Sequence, residues 1–261
     1  TAKAAFLVAP DGFGLAAESA IDNRYMAEAA AFDAARASAQ HRELQRALST
    51  ELPTICFAGD PATPDAVFPN NVFATAPGRS IIGRMRHPVR QLEAARADIR
   101  RFFAETLGYA EIDLSLQPHV CELTGALVID RARGLGFCGL SERCDETGAQ
   151  LMHEAFGLRA SLLFDLAEGE YHTNVVLAVL AGRAAIICPE GIADPAVVEV
   201  AKQYFGYRED RLLRTRIGDG RVFVRRQARA GVRYDLIVID AYERVYVPEH
   251  LMSREFIGEV K

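Results

Sequence analysis

The chain of 261 residues carries 30 Lys and Arg against 35 Asp and Glu, five Cys, no Trp and 50% hydrophobic residues. That is enough apolar material for one large domain or two small ones, and a charged fraction of 25% excludes disordered and fibrous classes. A net charge of −5 gives no general attraction to nucleic acid, and no apolar run is long enough to span a membrane as a helix.

From the N-terminus, AAFLV (4–8) reads as a short buried strand and residues 25–48 as a helix, with Met26, Ala30, Ala34, Ala37, Leu44 and Leu48 at near-helical spacing. TICFA (54–58) is the next strand. Residues 72–75 and 80–83 flank Pro77-Gly78 as a hairpin, and 92–107 form an amphipathic helix with Ile99, Phe102, Phe103 and Leu107 on one side. A second hairpin joins 126–130 to 136–139. Residues 146–156 are helical up to Gly157, and a third hairpin joins 174–180 to 184–188 around Ala181-Gly182-Arg183. Up to residue 188 one plan repeats: a strand hairpin, a helix and a further strand, with a period of about 60 residues.

The remainder has another rhythm. Asp194 and Pro195 open a helix over 195–205, a strand follows over 211–217, then Gly218-Asp219-Gly220, a helix over 222–229, the apolar run YDLIVI (234–239) and a helix over 253–260. The charge divides in the same place. Residues 194–261 hold 13 basic and 11 acidic residues, net +2, which leaves residues 1–193 at −7.

The five cysteines, Cys56, Cys121, Cys138, Cys144 and Cys188, form no CxxC pair, so neither a structural zinc site nor any other metal is expected. An odd count with no visible secretory leader fits reduced thiols in the cytoplasm. Candidate chemistry gathers between residues 64 and 188. Glu122 has the residue type to orient His172, and His172 that of an acid/base; loop carboxylates such as Asp65 and Asp145 have the charge to hold a guanidinium. The same residues equally permit a plain structural reading, with His172 closing a loop and Glu122 capping a turn.

The segments PDAVFPNNVF (64–73), MRHPVRQLE (85–93), CELTGALVID (121–130), GLSERCDETGA (139–149) and YHTNVVLAVLAGRAAIIC (171–188) occur in the order found in the pentein superfamily of guanidine-modifying enzymes. Residues 1–190 resemble that superfamily, which includes dimethylarginine dimethylaminohydrolase, arginine deiminase and amidinotransferase-like relatives. The resemblance implies an α/β propeller of ββαβ modules around a central site. It further implies His172 as the proton-transfer residue, Glu122 as its acidic partner, and Asp65, Asn71, Arg90, Arg143 and Asp145 as substrate contacts. The ligand it implies is a small guanidine such as arginine or a derivative, with no cofactor and with neither nucleic acid nor membrane as partner. Asn70-Asn71 depart from the acidic pair of the dimethylargininase branch, and Leu123 stands where a Gly is usual.

Penteins attack the guanidinium carbon with a thiolate from the last module. After His172 this chain offers Cys188 alone, in the apolar run AAIIC, where burial predicts an inert thiol. DPAVVEVAKQYFGYREDRLLRTRIGDGRVFVRR (194–226) and YDLIVIDAYERVYVPEHLMSREFIGEVK (234–261) resemble instead the spermidine synthase family. That likeness implies a Rossmann-like strand–helix segment over 191–261, with Asp219 against an adenine and Asp240 as the catalytic acid. Its Gly-rich cofactor turn is missing upstream of Asp194. The expectation is therefore a chimera: an incomplete pentein (1–190) followed by a partial aminopropyltransferase-like segment, impaired in guanidine hydrolysis. Three alternatives stand beside it: an active pentein hydrolase using another Cys, a module that binds arginine-like ligands without turnover, and an aminopropyltransferase.

Overall fold

The computed structural model describes residues 2–14, 18, 33–180, 184–194, 196–197, 200 and 220–232. The start of the helix expected over 25–48, the turn 181–183, most of the helix over 195–205, the elements over 211–217, 234–239 and 253–260, and both Asp219 and Asp240 lie outside the described residues. The chain divides into two compact units, Thr1–Arg208 and Glu209–Lys261.

Among the described residues the first unit holds four small sheets. Strands β1 (Ala5–Val8) and β2 (Thr54–Phe57) pair in parallel across helix α1 (Ala34–Glu51), whose first turn is capped by Asp33 accepting from the Arg36 N–H. β3 (Phe73–Ala76) and β4 (Arg79–Ile82) form a hairpin, and β5 (Ala110–Asp113) adds to β4 in parallel. β6 (Leu127–Asp130), β7 (Leu135–Leu140) and β8 (Ala160–Asp165) repeat the arrangement, with β7 paired antiparallel to β6 and parallel to β8. β9 (Leu177–Leu180) and β10 (Ala184–Ile187) form the last hairpin. The repeating plan of hairpin, helix and parallel strand therefore stands.

β5 and β8 occupy the fourth place in that plan, which the sequence left unlocated, and β9 starts at Leu177 because Thr173–Val176 turns helically first. The single helix expected over 92–107 is broken. Short helix α2 (Pro88–Gln91) leads into a 3-10 turn (Leu92–Ala95), then α3 (Ala97–Arg101), which continues into a π turn (Phe102–Thr106). The break falls at Arg96, whose backbone leaves the helical region (φ −60°, ψ 91°) while its guanidinium binds Asp98 and the Ala58 carbonyl. Of the four residues assigned to its apolar side, Ile99 and Phe103 are buried, whereas Leu107 is exposed.

Packing explains why the modules hold together. Side chains alternate along a strand, so a middle strand serves two cores. In β4, Ile81 packs with Leu123, Leu127 and Met152, while Ile82 packs with Val8, Ile99 and Phe103. In β7, Cys138 joins the first of these cores, while Leu135 and Phe137 join a third with Phe164, Val176 and Leu177. Phe6, Phe57, Phe102 and Phe103 add edge-to-face ring contacts at 5.3–6.2 Å. Helix α1, by contrast, buries none of its residues, and Leu44 is 51% exposed.

Three more helices follow in the first unit. α4 (Leu123–Ala126) is a single turn, and α5 (Glu146–Phe156) starts at an Asp145 cap and ends at Gly157 in the left-handed conformation (φ 63°). α6 is the turn Thr173–Val176. In the second unit, α7 (Gly220–Arg229) matches the helix expected over 222–229. No helix among the described residues is long and apolar enough to cross a membrane.

Leu123 illustrates how a sequence departure is absorbed. It is fully buried, and Gly83 admits it: a Cβ on Gly83 would come within 2.7 Å of Leu123 Cγ. Leu123→Ala is expected to cost the first unit about 2–5 kcal/mol, against under about 0.5 kcal/mol for Leu107→Ala, in urea melts followed by circular dichroism. Equal midpoints for the two variants would contradict this packing.

Candidate functional site

A short helical turn precedes each hairpin: Pro69–Asn71 before β3, α4 before β6 and α6 before β9. The three turns carry Asn71 within the first, Glu122 at the N-cap of the second and His172 at the N-cap of the third. The modular repeat thus delivers three polar residues, far apart in sequence, to one place.

Glu122 is 0% exposed, and every lone-pair direction of its carboxylate is engaged from nearby. Oε1 accepts from the Arg86 backbone N–H at 3.1 Å and Arg143 Nη1 at 3.3 Å; Oε2 accepts from Arg143 Nη1 at 3.2 Å and His172 Nε2–H at 2.8 Å. Because an ionised carboxylate only accepts, it fixes the proton of neutral His172 on Nε2 and leaves Nδ1 as the basic nitrogen. That face of the ring meets Gly125 and Asn71. A Cβ on Gly125 would lie 2.5 Å from Asn71 Oδ1 and 2.8 Å from His172 Cε1, so only glycine lets the amide and the imidazole close over this turn. The Asn71 amide oxygen accepts from Asn70 Nδ2 at 3.0 Å.

Electrostatics set the protonation states. Burial pushes the His172 pKa below 6.5, outweighing the pull of Glu122, so the ring is neutral at pH 7. Burial pushes Glu122 upward, but His172 and the Arg143 and Arg90 guanidiniums outweigh it and hold the carboxyl below 4.5. Around the pair, the Tyr171 ring stacks obliquely on His172 at 4.7 Å and lies 5.7 Å from the Arg143 guanidinium.

A second buried charge pair holds the Asp65 loop. Arg90 Nε and Nη2 donate to the two carboxylate oxygens of Glu93 at 2.8 and 2.9 Å, and Nη2 also reaches the carbonyls of Asp65 and Phe68. All of Asp65, Arg90 and Glu93 are buried. Burial raises the Glu93 carboxyl against the opposing effect of Arg90.

The structure therefore gathers Glu122, His172, Arg143 and Asn71, and places Asp65 and Arg90 on the adjoining loop. Asp145 stands apart. Its carboxylate caps α5 through the Gly148 N–H at 2.7 Å and accepts from the Val120 N–H at 3.2 Å. The residues that sequence reasoning missed are Glu93, Gly125, Tyr171 and the Arg86 amide. Only Glu93 left a readable trace, as an acid three residues after Arg90.

One cysteine takes a different place from the one expected. Cys121, Cys138 and Cys144 are buried, with Cys138 and Cys144 sulfurs 3.6 Å apart. Burial pushes Cys121 up to about 11, and the Cys138 contact and burial push Cys144 higher still. Cys188, expected to be buried, is exposed, because it follows the end of β10 and no third strand covers that hairpin among the described residues. Its thiol, raised by partial burial and by Glu190, donates to the Glu190 carboxylate at 3.4 Å. No cysteine sulfur hydrogen-bonds His172 among the described residues.

Against known proteins, residues 9–207 match the family model described as N,N dimethylarginine dimethylhydrolase, eukaryotic. The chain belongs to this family. Its fold is that of the penteins, shared with three solved structures. The product-bound N-terminal domain of ArgZ, an arginine dihydrolase from cyanobacteria, superposes with a TM-score of 0.67 at 17% identity over 87% of this chain and 88% of its own. Unliganded AgrE gives 0.67 at 20% identity over 82% of this chain and 30% of its own. A dimethylarginine dimethylaminohydrolase adduct gives 0.59 at 21% over 76% and 74%. Separately, 68 residues, or 26% of the chain, are 43% identical to the polyamine aminopropyltransferase of Vibrio vulnificus (strain CMCP6). The chain spans 23% of the length of that curated relative.

Two measurements probe this geometry. Arg90→Met leaves Glu93 buried without its partner and is expected to cost about 3–5 kcal/mol, most of it recovered in Arg90→Met/Glu93→Leu, by urea denaturation. Acid should also loosen the site. His172 and Glu122 are both depressed in the folded state, so each contributes stability that is present above its unfolded value, 6.5 and 4.5, and is lost as pH falls. The melting temperature is expected to fall from about pH 7 downward, and His172→Gln to remove the part of that fall near 6.5. An unaltered profile in His172→Gln would contradict the assignment.

Proposed function

We propose that this member of a guanidine-hydrolase family binds an arginine-type ligand between the Asp65–Asn71 loop and the Glu122–His172 pair, without turning it over through a covalent thiol step. The pair supports the guanidine-family chemistry of this reading, and the absence of turnover rests on the state of the thiols. A neutral His172 with Nδ1 unprotonated suits proton transfer, and Glu122 orients it from a fully buried position. The AgrE protein has been captured with L-arginine, which supports the ligand class.

Hydrolysis of a guanidine C–N bond in this fold requires a thiolate to add to the guanidinium carbon, with His172 taking and returning a proton. Cys56, Cys121, Cys144 and Cys188 have their proton held by burial and by neighbouring acids or thiols, and none of the five thiols hydrogen-bonds His172 among the described residues. Asn71 in place of a carboxylate weakens the site's charge complementarity to a guanidinium, methylated or not. The reading also treats residues 1–190 as the pentein part of a chimera and 191–261 as an aminopropyltransferase-like segment, with Asp219 and Asp240 as its adenine and amine contacts. The 68-residue match equals the length of 194–261 and supports that division. Five unpaired thiols fit a reducing cytoplasm.

Calorimetric titration with L-arginine and with asymmetric dimethylarginine, paired with chromatographic detection of citrulline and ornithine, tests the proposal. Saturable heat for arginine is expected without formation of citrulline or ornithine, and Glu122→Gln should weaken binding by about tenfold. Robust citrulline formation abolished by His172→Ala would overturn the claim of no turnover.

A further inference from the structure

The three hairpins close in comparable ways, and the middle one differs in a detail that bears on the site. In the first, the residue after β4 donates back to the residue before β3: Gly83 N–H to the Val72 carbonyl at 2.8 Å. In the third, the residue after β10 donates to the residue before β9: Cys188 N–H to the Val176 carbonyl, also at 2.8 Å. Leu127 pairs with Cys138 as Phe73 pairs with Ile82 and Leu177 with Ile187, so the corresponding groups of the middle hairpin are Gly139 N–H and the Ala126 carbonyl. There the Thr173 hydroxyl is interposed. Gly139 N–H donates to Thr173 Oγ1 at 2.7 Å, and Oγ1 donates to the Ala126 carbonyl.

The interposed residue is not from the same module. Thr173 follows His172 directly, and Ala126 ends the turn that Glu122 begins, with Ala126 N–H donating to the Glu122 carbonyl at 3.0 Å. The hydroxyl is fully buried and uses both its donor and an acceptor lone pair. Leu123, which holds the equivalent place after Glu122, makes only an apolar contact over Gly83. Gly139 leaves room for the hydroxyl, since a Cβ there would fall 2.9 Å from Oγ1.

We propose that Thr173 is a positioning residue: its hydroxyl clamps the His172 turn onto the Glu122 turn and so holds the imidazole and carboxylate in register. The proposal rests on the same pair as the proposed function but not on any ligand. Loss of the hydroxyl leaves a buried N–H and a buried carbonyl unsatisfied, which the two turns relieve by separating.

The test compares Thr173→Val, which keeps the shape without the hydroxyl, with Thr173→Ser, which keeps the hydroxyl. The readout is the His172 Nε2–H resonance in a proton–nitrogen correlation spectrum of the full chain, with arginine titration alongside. Wild type and Thr173→Ser are expected to show a protected Nε2–H. In Thr173→Val its solvent exchange should be faster by about tenfold or more, with arginine affinity, where wild type shows binding, lower by a similar factor. Should Thr173→Val not fold, Thr173→Cys is read in its place with the same expectation. An unchanged Nε2–H in the Val or Cys variant overturns the clamp, as does a Ser variant that behaves like Val. If wild type fails to bind arginine, the proposed function fails while the exchange comparison still decides the clamp.

Discussion

A fully buried carboxylate must be satisfied from all sides, and Glu122 imposes that constraint on the structure around it. Its four contacts come from three separate stretches of chain: the loop after β4 gives the Arg86 amide, the bridge before α5 gives Arg143, and the turn before β9 gives His172. Each supplier is itself tied down. The backbone N–H of Glu122 donates to the Arg143 carbonyl, and Cys121 N–H donates to the Arg84 carbonyl, so the loops that approach the carboxylate are stitched to the segment that bears it. The acid therefore organises the middle of the first unit as much as any apolar residue does.

The repeat makes this convergence possible. Shared middle strands fix the angle between successive modules, because β4 and β7 each place alternate side chains in two cores. Once that angle is set, equivalent positions in each module face one another. Glu122 and His172 meet because each is the N-cap of its turn, and Asn71, at the end of the first turn, stands with His172 over Gly125. The glycines near them are where the packing is tightest, as the Gly125 contacts with Asn71 and His172 show.

Much of the framework was readable in the chain. The hairpins around Pro77-Gly78 and residues 131–134 and the α5 helix with its Gly157 stop followed from turn chemistry and periodicity. What failed depended on contacts from elsewhere. The apolar spacing over 92–107 is continuous, yet Arg96 breaks it by reaching Asp98 and the Ala58 carbonyl, which no local window contains. β5, with the sequence AEID, has too little apolar alternation to be located alone and exists because β4 offers it an edge. Cys188 looked buried because AAIIC is apolar, but burial depends on a neighbouring strand. As for the site, residue types left His172 and Glu122 open between catalysis and structure. Their nomination came from family resemblance, and their 2.8 Å contact came from the fold.

That double role of Glu122 separates persistence from activity. Removing His172 or Arg143 would leave a buried charge short of partners, so stability alone favours keeping the whole constellation. A thiol nucleophile has no such protection, since it can be exchanged for a small residue at little cost to packing. The cluster's intact geometry therefore reports the packing of the first unit as much as its chemistry, and the pair alone does not decide turnover.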